Sequence, residues 1–198
     1  MVAPVNAGGL NSFAIRPIIA FTPNDSFSLT LIGEYQKDND QPQPVINISG
    51  PTRVLTTVYG VQPFPAGANT RNISSNVAGY IKNRIWGVTA EMRWKVGSGE
   101  LTFIGNTRRT ESELSADSEG TQAPLFEVYR KEPHRQNSQE LRFSGDFSER
   151  WSYVVGAYNF QQEYDLQRDT FQNTTNAATA RHILAYTNQE HEARGAFT

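Results

Sequence analysis

The 198-residue sequence has no cysteine, so neither a disulfide framework nor a thiolate metal site is possible. It has no surplus of one charge. Lys and Arg number 18 against 20 Asp and Glu, for a formal net charge of −2. A nucleic-acid clamp would need a basic excess, so no nucleic-acid partner is expected. It has no apolar run of the ~18 residues that a membrane helix needs, and its mean hydropathy is −0.54. These absences exclude a helical membrane protein. They do not exclude a membrane β-barrel, whose strands alternate and average out to polar. Residues 1–10 carry no basic n-region and no apolar h-region, so no signal peptide is expected in the chain as given. No phosphate loop, dinucleotide fingerprint or nucleophile–His–acid constellation is visible. No cofactor is expected, and the chain does not read as an enzyme.

What is present is a period of two. Phe27, Leu29, Leu31, Gly33 and Tyr35 alternate with Ser28, Thr30, Ile32 and Glu34. That is a β-strand with one apolar and one mainly polar face. Phe13, Ile15, Pro17, Ile19 and Phe21 form a similar face just before it, across the turn formers Pro23, Asn24 and Asp25. Residues 11–22 and 26–37 therefore read as one hairpin. A second hairpin has Trp86, Val88, Ala90, Met92 and Trp94, then Gly97-Ser98-Gly99, then Leu101, Phe103 and Gly105. A third has Leu141, Phe143, Gly145 and Phe147, a turn at 147–150, and a strand from Trp151 to Tyr164. That last strand is apolar on both faces near its start, so periodicity leaves its orientation open. Residues 192–198 read as the start of a seventh strand.

Connection lengths alternate. Short turns fall near 23–25, 97–99 and 147–150. Long connections cover roughly 38–82, 111–136 and 166–191 and are rich in Asn, Gln, Pro, Thr and Asp. Outer-membrane barrels alternate in this way, with short periplasmic turns and long extracellular loops.

Aromatic residues bracket the apolar faces. The pairs Phe13 and Phe21, Phe27 and Tyr35, and Trp86 and Trp94 are each eight residues apart. Along a strand that is about 26 Å, and with a tilt near 40° the height is roughly 20 Å, close to the apolar band of a barrel. Rings favour the headgroup level, so these six residues are the candidate lipid-facing girdle. The opposite face carries Arg16, Glu34, Glu91, Arg93, Arg108, Glu140 and Arg142. A soluble sandwich would show a similar alternation, with apolar residues under a second sheet. Strands of ten to twelve residues, the long loops and the bracketing favour the barrel.

The fold expected is thus an all-β antiparallel up-and-down meander, an open curved sheet forming part of a transmembrane β-barrel with long extracellular loops. Tyr59, Phe64, Tyr80, Phe126, Tyr129 and Phe171 fall in the long connections. Exposed loop aromatics suit capture of a ligand, or they pack the loops together. Glu91 with Arg93, and Glu140 with Arg142, read as charge ladders across neighbouring strands. His134, His182 and His191 make no close metal pair. Glu111, Glu113, Asp117 and Glu119 lack the ligand spacing of an EF-hand loop. No metal site is expected.

The strings themselves carry a resemblance. Ser138-Gln139-Glu140-Leu141-Arg142-Phe143-Ser144, then Trp151 through Gly156-Ala157-Tyr158-Asn159-Phe160, resembles paired barrel strands of TonB-dependent outer-membrane receptors. Trp86 to Gly105 looks like another hairpin of that family. Pro23-Asn24-Asp25 is similar to its periplasmic turn, and Gln189-Glu190 through Phe197 to a strand opening. The resemblance spans nearly the whole chain. It implies a barrel in the outer membrane of a Gram-negative bacterium, in contact with outer-membrane lipid. It implies uptake of a scarce nutrient such as an iron–siderophore, cobalamin or an oligosaccharide, energised by the TonB–ExbB–ExbD complex. The family has a plug domain and 22 strands. This chain shows no plug, no TonB box and six strands plus a stub, so residues 1–198 are expected to be an internal fragment of such a barrel. The rival readings are a porin-like or other outer-membrane barrel, a soluble carbohydrate-binding β-sandwich, and a hydrolase with convergent acids.

Overall fold

A computed structural model describes residues 8–47, 54–61, 74–173 and 180–198. Eight strand segments form one open, curved antiparallel sheet. They are β1 Ser12–Ile15, β2 Ile18–Asn24, β3 Phe27–Asp40, β4 Tyr80–Val96, β5 Gly99–Asp117, β6 Phe126–Ser148, β7 Trp151–Gln172 and β8 Arg181–Phe197. From β2 to β8 each strand pairs with its neighbour in sequence, as the meander predicts, and β1 pairs with β3 beside β2. The two edges are β1 with β2, and β8. One π-helical turn, Val54–Val58, interrupts the connection between β3 and β4.

β1 and β2 are one strand broken in the middle. Both pair with β3 in the same register, Ile15 opposite Tyr35 and Ile18 opposite Ile32. The break falls at Pro17, which has no N–H to give to the ladder. Its carbonyl still accepts from Gly33 N at 3.0 Å. Gly33 leaves space for the proline ring, since a Cβ there would lie 3.1 Å from Pro17 Cγ.

The short turns each have their own chemistry. Asn24 Oδ1 accepts from Ser26 N at 2.9 Å. Gly97 supplies a φ of +63° at the β4–β5 turn. Ser148 Oγ accepts from Arg150 N at 3.3 Å.

The strands are longer than the alternation predicts. β6 and β7 span 23 and 22 residues, and the connections they bound shrink to 118–125 and 173–180. The order short–long survives, but only 41–79 is truly long. The apolar signal fades at Thr107, Gln139 and Asn159, yet the ladder continues on polar partners. Ser112 Oγ donates to Asn83 Oδ1 at 2.8 Å, and Asn188 Nδ2 to Asp165 Oδ1 at 2.7 Å. Backbone hydrogen bonds, not apolar side chains, carry a ladder, so a hydrophobic pattern cannot mark its end. For the same reason β8 begins at Arg181, not at 192. The ambiguous strand β7 places Tyr153 and Val155 opposite Gly145 and Phe143, on the aromatic face.

The hairpins are staggered. Phe27, at the start of β3, pairs with Trp94, but β4 runs on two residues to Val96. Gly99 of β5 pairs with Gly145, but β6 runs on three residues to Ser148. Each turn lies lower than the one before.

The sheet is one layer thick. Among the described residues the buried hydrophobic side chains are Leu55, 3% exposed, and Ala123, 1% exposed, and both lie in the connections. Among the described residues no second sheet covers Leu31, Ala90 or their neighbours, and every contact between strands joins neighbours in the one sheet.

Candidate functional site

The six bracketing aromatics gather into two rows on one face. Tyr35 is directly opposite Trp86, and Phe27 directly opposite Trp94. Phe13 joins the first pair, with its ring 6.4 Å from Tyr35, and Phe21 the second, 6.4 Å from Phe27. Between the rows the paired residues are Leu29 with Met92, Leu31 with Ala90, and Gly33 with Val88. Trp86 is 38% exposed and Trp94 48% exposed. A sandwich would have hidden both.

Three further aromatics join this band that the sequence did not place in the girdle, although Phe147 reads there on the apolar face of its strand. Phe147, Trp151 and Tyr153 lie at the β6–β7 turn, with the Phe147 and Tyr153 rings 4.5 Å apart. Phe147 and Trp151 are 79% and 73% exposed. Only the stagger identifies them. Followed along one rung, the apolar face runs Leu31, Ala90, Gly105 and then turns polar at Gln139, Asn159 and Arg194. Followed diagonally, it steps toward the turns, from Tyr35–Phe27 in β3 to Leu141–Phe147 in β6. The apolar band thus descends in the same direction as the turns.

The opposite face is polar. Arg108 reaches across β4 to Glu34, with N and O 3.1 Å apart. It passes over Gly87, where a Cβ would lie 2.8 Å from Glu34 Oε1. Glu91 and Arg93 pair with each other at 2.6 Å, and Glu140 and Arg142 at 3.6 Å. These two pairs lie within single strands, where ladders across strands were expected. The reason is the register. Arg93 and Arg142 both flank Thr102, which is 4% exposed, and Glu91 and Glu140 both flank Ile104. No carboxylate of β5 stands between them.

The loop aromatics do not converge. Tyr80, Phe126, Tyr129 and Phe171 lie within strands, not in connections. Tyr80 and Tyr129 flank Ser115 on the aromatic face, and Phe126 lies on the other face by alternation. Phe171 packs edge-on against His182, with rings 5.3 Å apart. Tyr59 is in a connection, and its hydroxyl donates to Asn173 O at 3.4 Å. Phe64 lies outside the described residues.

The connections build a small cap at the end away from the turns. Asp117 Oδ1 accepts from Glu119 N at 2.9 Å and from Gly120 N at 3.0 Å. The Glu119 carboxyl accepts from Leu125 N at 3.3 Å and Phe126 N at 3.1 Å. Asn173 N donates to Leu125 O at 2.9 Å. Gly120, with φ +67°, lies so close to the 45–47 segment that a Cβ would come within 2.6 Å of Val45 O. Burial, and then the hydrogen bond and charge of Asp117, push the Glu119 carboxyl up to about 8. Asp117 Oδ2 is buried, with no hydrogen-bond partner among the described residues.

The other acids and histidines that the sequence singles out lie apart from one another. Glu111 pairs with Arg84 at 3.6 Å, Glu113 with Lys131 at 3.4 Å, and His182 with Asp169 at 3.2 Å. His134 lies beside Tyr164, and His191 stands opposite Gln162. Among the described residues no three acidic or histidine side chains converge on one point. No protein-family model matches the chain, and no curated protein or solved structure is significantly similar to it.

Proposed function

We propose that this chain forms part of the wall of an outer-membrane β-barrel. The observation that carries the reading is the uncovered aromatic face. It is apolar between two aromatic rows about 26 Å apart along the strand, and no layer among the described residues lies over it. Water is a poor solvent for such a face, and contiguous apolar patches of this size mark interfaces. Hydrocarbon is a good one, provided every backbone group is paired. The consistent stagger of the hairpins supports the same reading, because closing a sheet into a cylinder requires sheared, tilted strands.

The finer part of the proposal rests on the strand strings. Their resemblance to TonB-dependent receptors makes the parent a nutrient transporter, for an iron–siderophore complex or a similarly scarce ligand. In that parent the TonB–ExbB–ExbD complex would act on a plug, and this segment would be scaffold. The soluble sandwich needs a second layer over Leu31 and Ala90, and the hydrolase needs convergent acids. Neither has an observation in its favour.

The three tryptophans provide the test. Trp86, Trp94 and Trp151 all lie on the aromatic face. The chain is folded with vesicles whose lipids carry bromine near the headgroup or near the bilayer centre. The wall reading expects strong quenching by the shallow bromines and weak quenching by the deep ones. Unquenched fluorescence from a soluble, monomeric chain would overturn it.

A further inference from the structure

We infer that the loop-side margin of the aromatic face docks the phosphate of lipid headgroups. The inference rests on the membrane-wall reading. The two margins of that face differ in charge. Level with Trp86 along the rung stand Arg109 and Arg135. One row further from the turns, Lys37 is opposite Arg84, and in the next row Lys82 and Lys131 flank Glu113. Six cations thus lie in or just beyond the Tyr35–Trp86 row, all on β3 to β6. Among them stand two carboxylates, Glu111 and Glu113, paired with Arg84 and Lys131 at 3.6 and 3.4 Å, which leaves four positive charges in excess on these strands. On β7 and β8 the same rows carry Glu163, Asp165 and Glu190, so the basic margin is confined to β3–β6. The turn-side margin has no such excess: past Trp94 the same face continues with Val96, Gly145, Phe147 and Tyr153.

The basic margin is also concave and open. A hollow of about 380 Å³ lies among Lys37, Lys82, Arg84, Glu111 and Glu113. Two of the cations stand on aromatic platforms. Arg109 lies 5.4 Å from the Trp86 ring centre, and Lys82 lies 4.2 Å from that of Tyr80. These contacts hold the cations at the edge of the apolar band without neutralising them. Phosphates of a bilayer lie just outside the level that interfacial aromatic rings occupy. A guanidinium forks onto two phosphate oxygens, and an ammonium meets one as a point charge. One end of one face therefore matches a phosphate layer in both depth and sign, and the other end does not.

The test uses the whole chain with vesicles of phosphatidylcholine alone, or of phosphatidylcholine doped with phosphatidic acid. Partition is read by flotation. Phosphatidic acid is expected to raise partition about tenfold or more at low salt, as basic side chains at a charged surface do. The variant Lys37→Gln/Lys82→Gln/Arg109→Gln should lose that gain while still partitioning into neutral vesicles. The variant Lys95→Gln/Arg142→Gln, on the opposite face, should keep it. Equal partition of the unaltered chain into both vesicles would overturn the inference and leave the wall reading standing. So would loss of the gain in both variants. Millimolar inorganic phosphate should not compete; if it abolishes the gain, the site takes a soluble anion and the lipid assignment fails. Absence of partition into either vesicle overturns the wall reading and this inference together.

Discussion

Between β3 and β7 the sheet is a single layer, and among the described residues no second layer of strands covers Leu31, Ala90 or Leu141. In the cap, 118–125 packs against the β3–β4 connection, and Ala123 and Leu55 are almost wholly covered. The wall is held by backbone ladders and presents its apolar side chains. The cap has little regular structure, covers Leu55 and Ala123 while Val45 and Val58 stay exposed, and satisfies its backbone with Asp117, Glu119 and Thr121. The difference teaches which solvent each part is made for. The cap follows the water rule of apolar inside. The wall suits a solvent that is itself apolar.

The largest effect should come from charging the wall. Ala90 lies midway between the aromatic rows. Ala90→Arg should cost roughly 2–4 kcal/mol of folding in lipid, the value for a basic residue at the midplane of a barrel. Thr89→Arg, one residue away on the polar face, should cost far less. Denaturant titration in vesicles measures both. Equal costs would mean that the two faces see one solvent, and the comparison would break.

Next is a change confined to the cap. Gly120→Ala places a Cβ within 2.6 Å of Val45 O at a positive φ. Such strain costs about 1–3 kcal/mol. Amide exchange should accelerate across 118–126 and stay unchanged at the centre of β4. Faster exchange throughout β4 would show that cap and wall unfold together.

The cap should also respond to pH. Glu119 holds its proton up to about 8 when folded, whereas an unfolded glutamate loses it near 4.3. The folded state therefore binds more protons between these values, and cap stability falls as pH rises through that window. Protection of the Leu125 and Phe126 amides should decline from pH 5 to pH 8. Glu119→Gln cannot titrate and should flatten the profile, while its single amide oxygen replaces only one of the two acceptors that Leu125 and Phe126 use. A wild-type profile that is already flat would contradict the raised pKa of Glu119.

The smallest effect belongs to the polar face. The Arg108–Glu34 pair is open to water, so its coupling in a double-mutant cycle with Glu34→Gln and Arg108→Gln should be roughly 0.2–1 kcal/mol. A much larger value would mean that this face is closed off from water.

Much of the wall was legible in the sequence because its faces differ in kind. Alternation at Phe27–Tyr35 and Trp86–Trp94 gave both the strands and their shared face. Pro17 announced a missing ladder bond, and the break is there. The limits of the strands were not legible, because rungs such as Asn83–Ser112 carry no apolar signal. Phe147 and Trp151 were legible as strand residues but not as part of the band, because their place in it depends on how far one hairpin slides past the next, which no single strand records. The cap was hidden for a different reason. Its contacts join Val45, Asn173 and Gly120, residues far apart in the chain, and no local pattern encodes such meetings.

The stagger has one more consequence. A strip whose turns descend by two residues and then by three does not lie level when it is rolled up. Its first and last strands reach each other along a seam, offset by the sum of all the steps around the circumference. That offset and the number of strands together set how far the strands lean and how wide the tube is. In the proposed barrel the free flanks of β1–β2 and β8 would meet neighbours displaced along the axis, like the thread of a screw meeting its next turn.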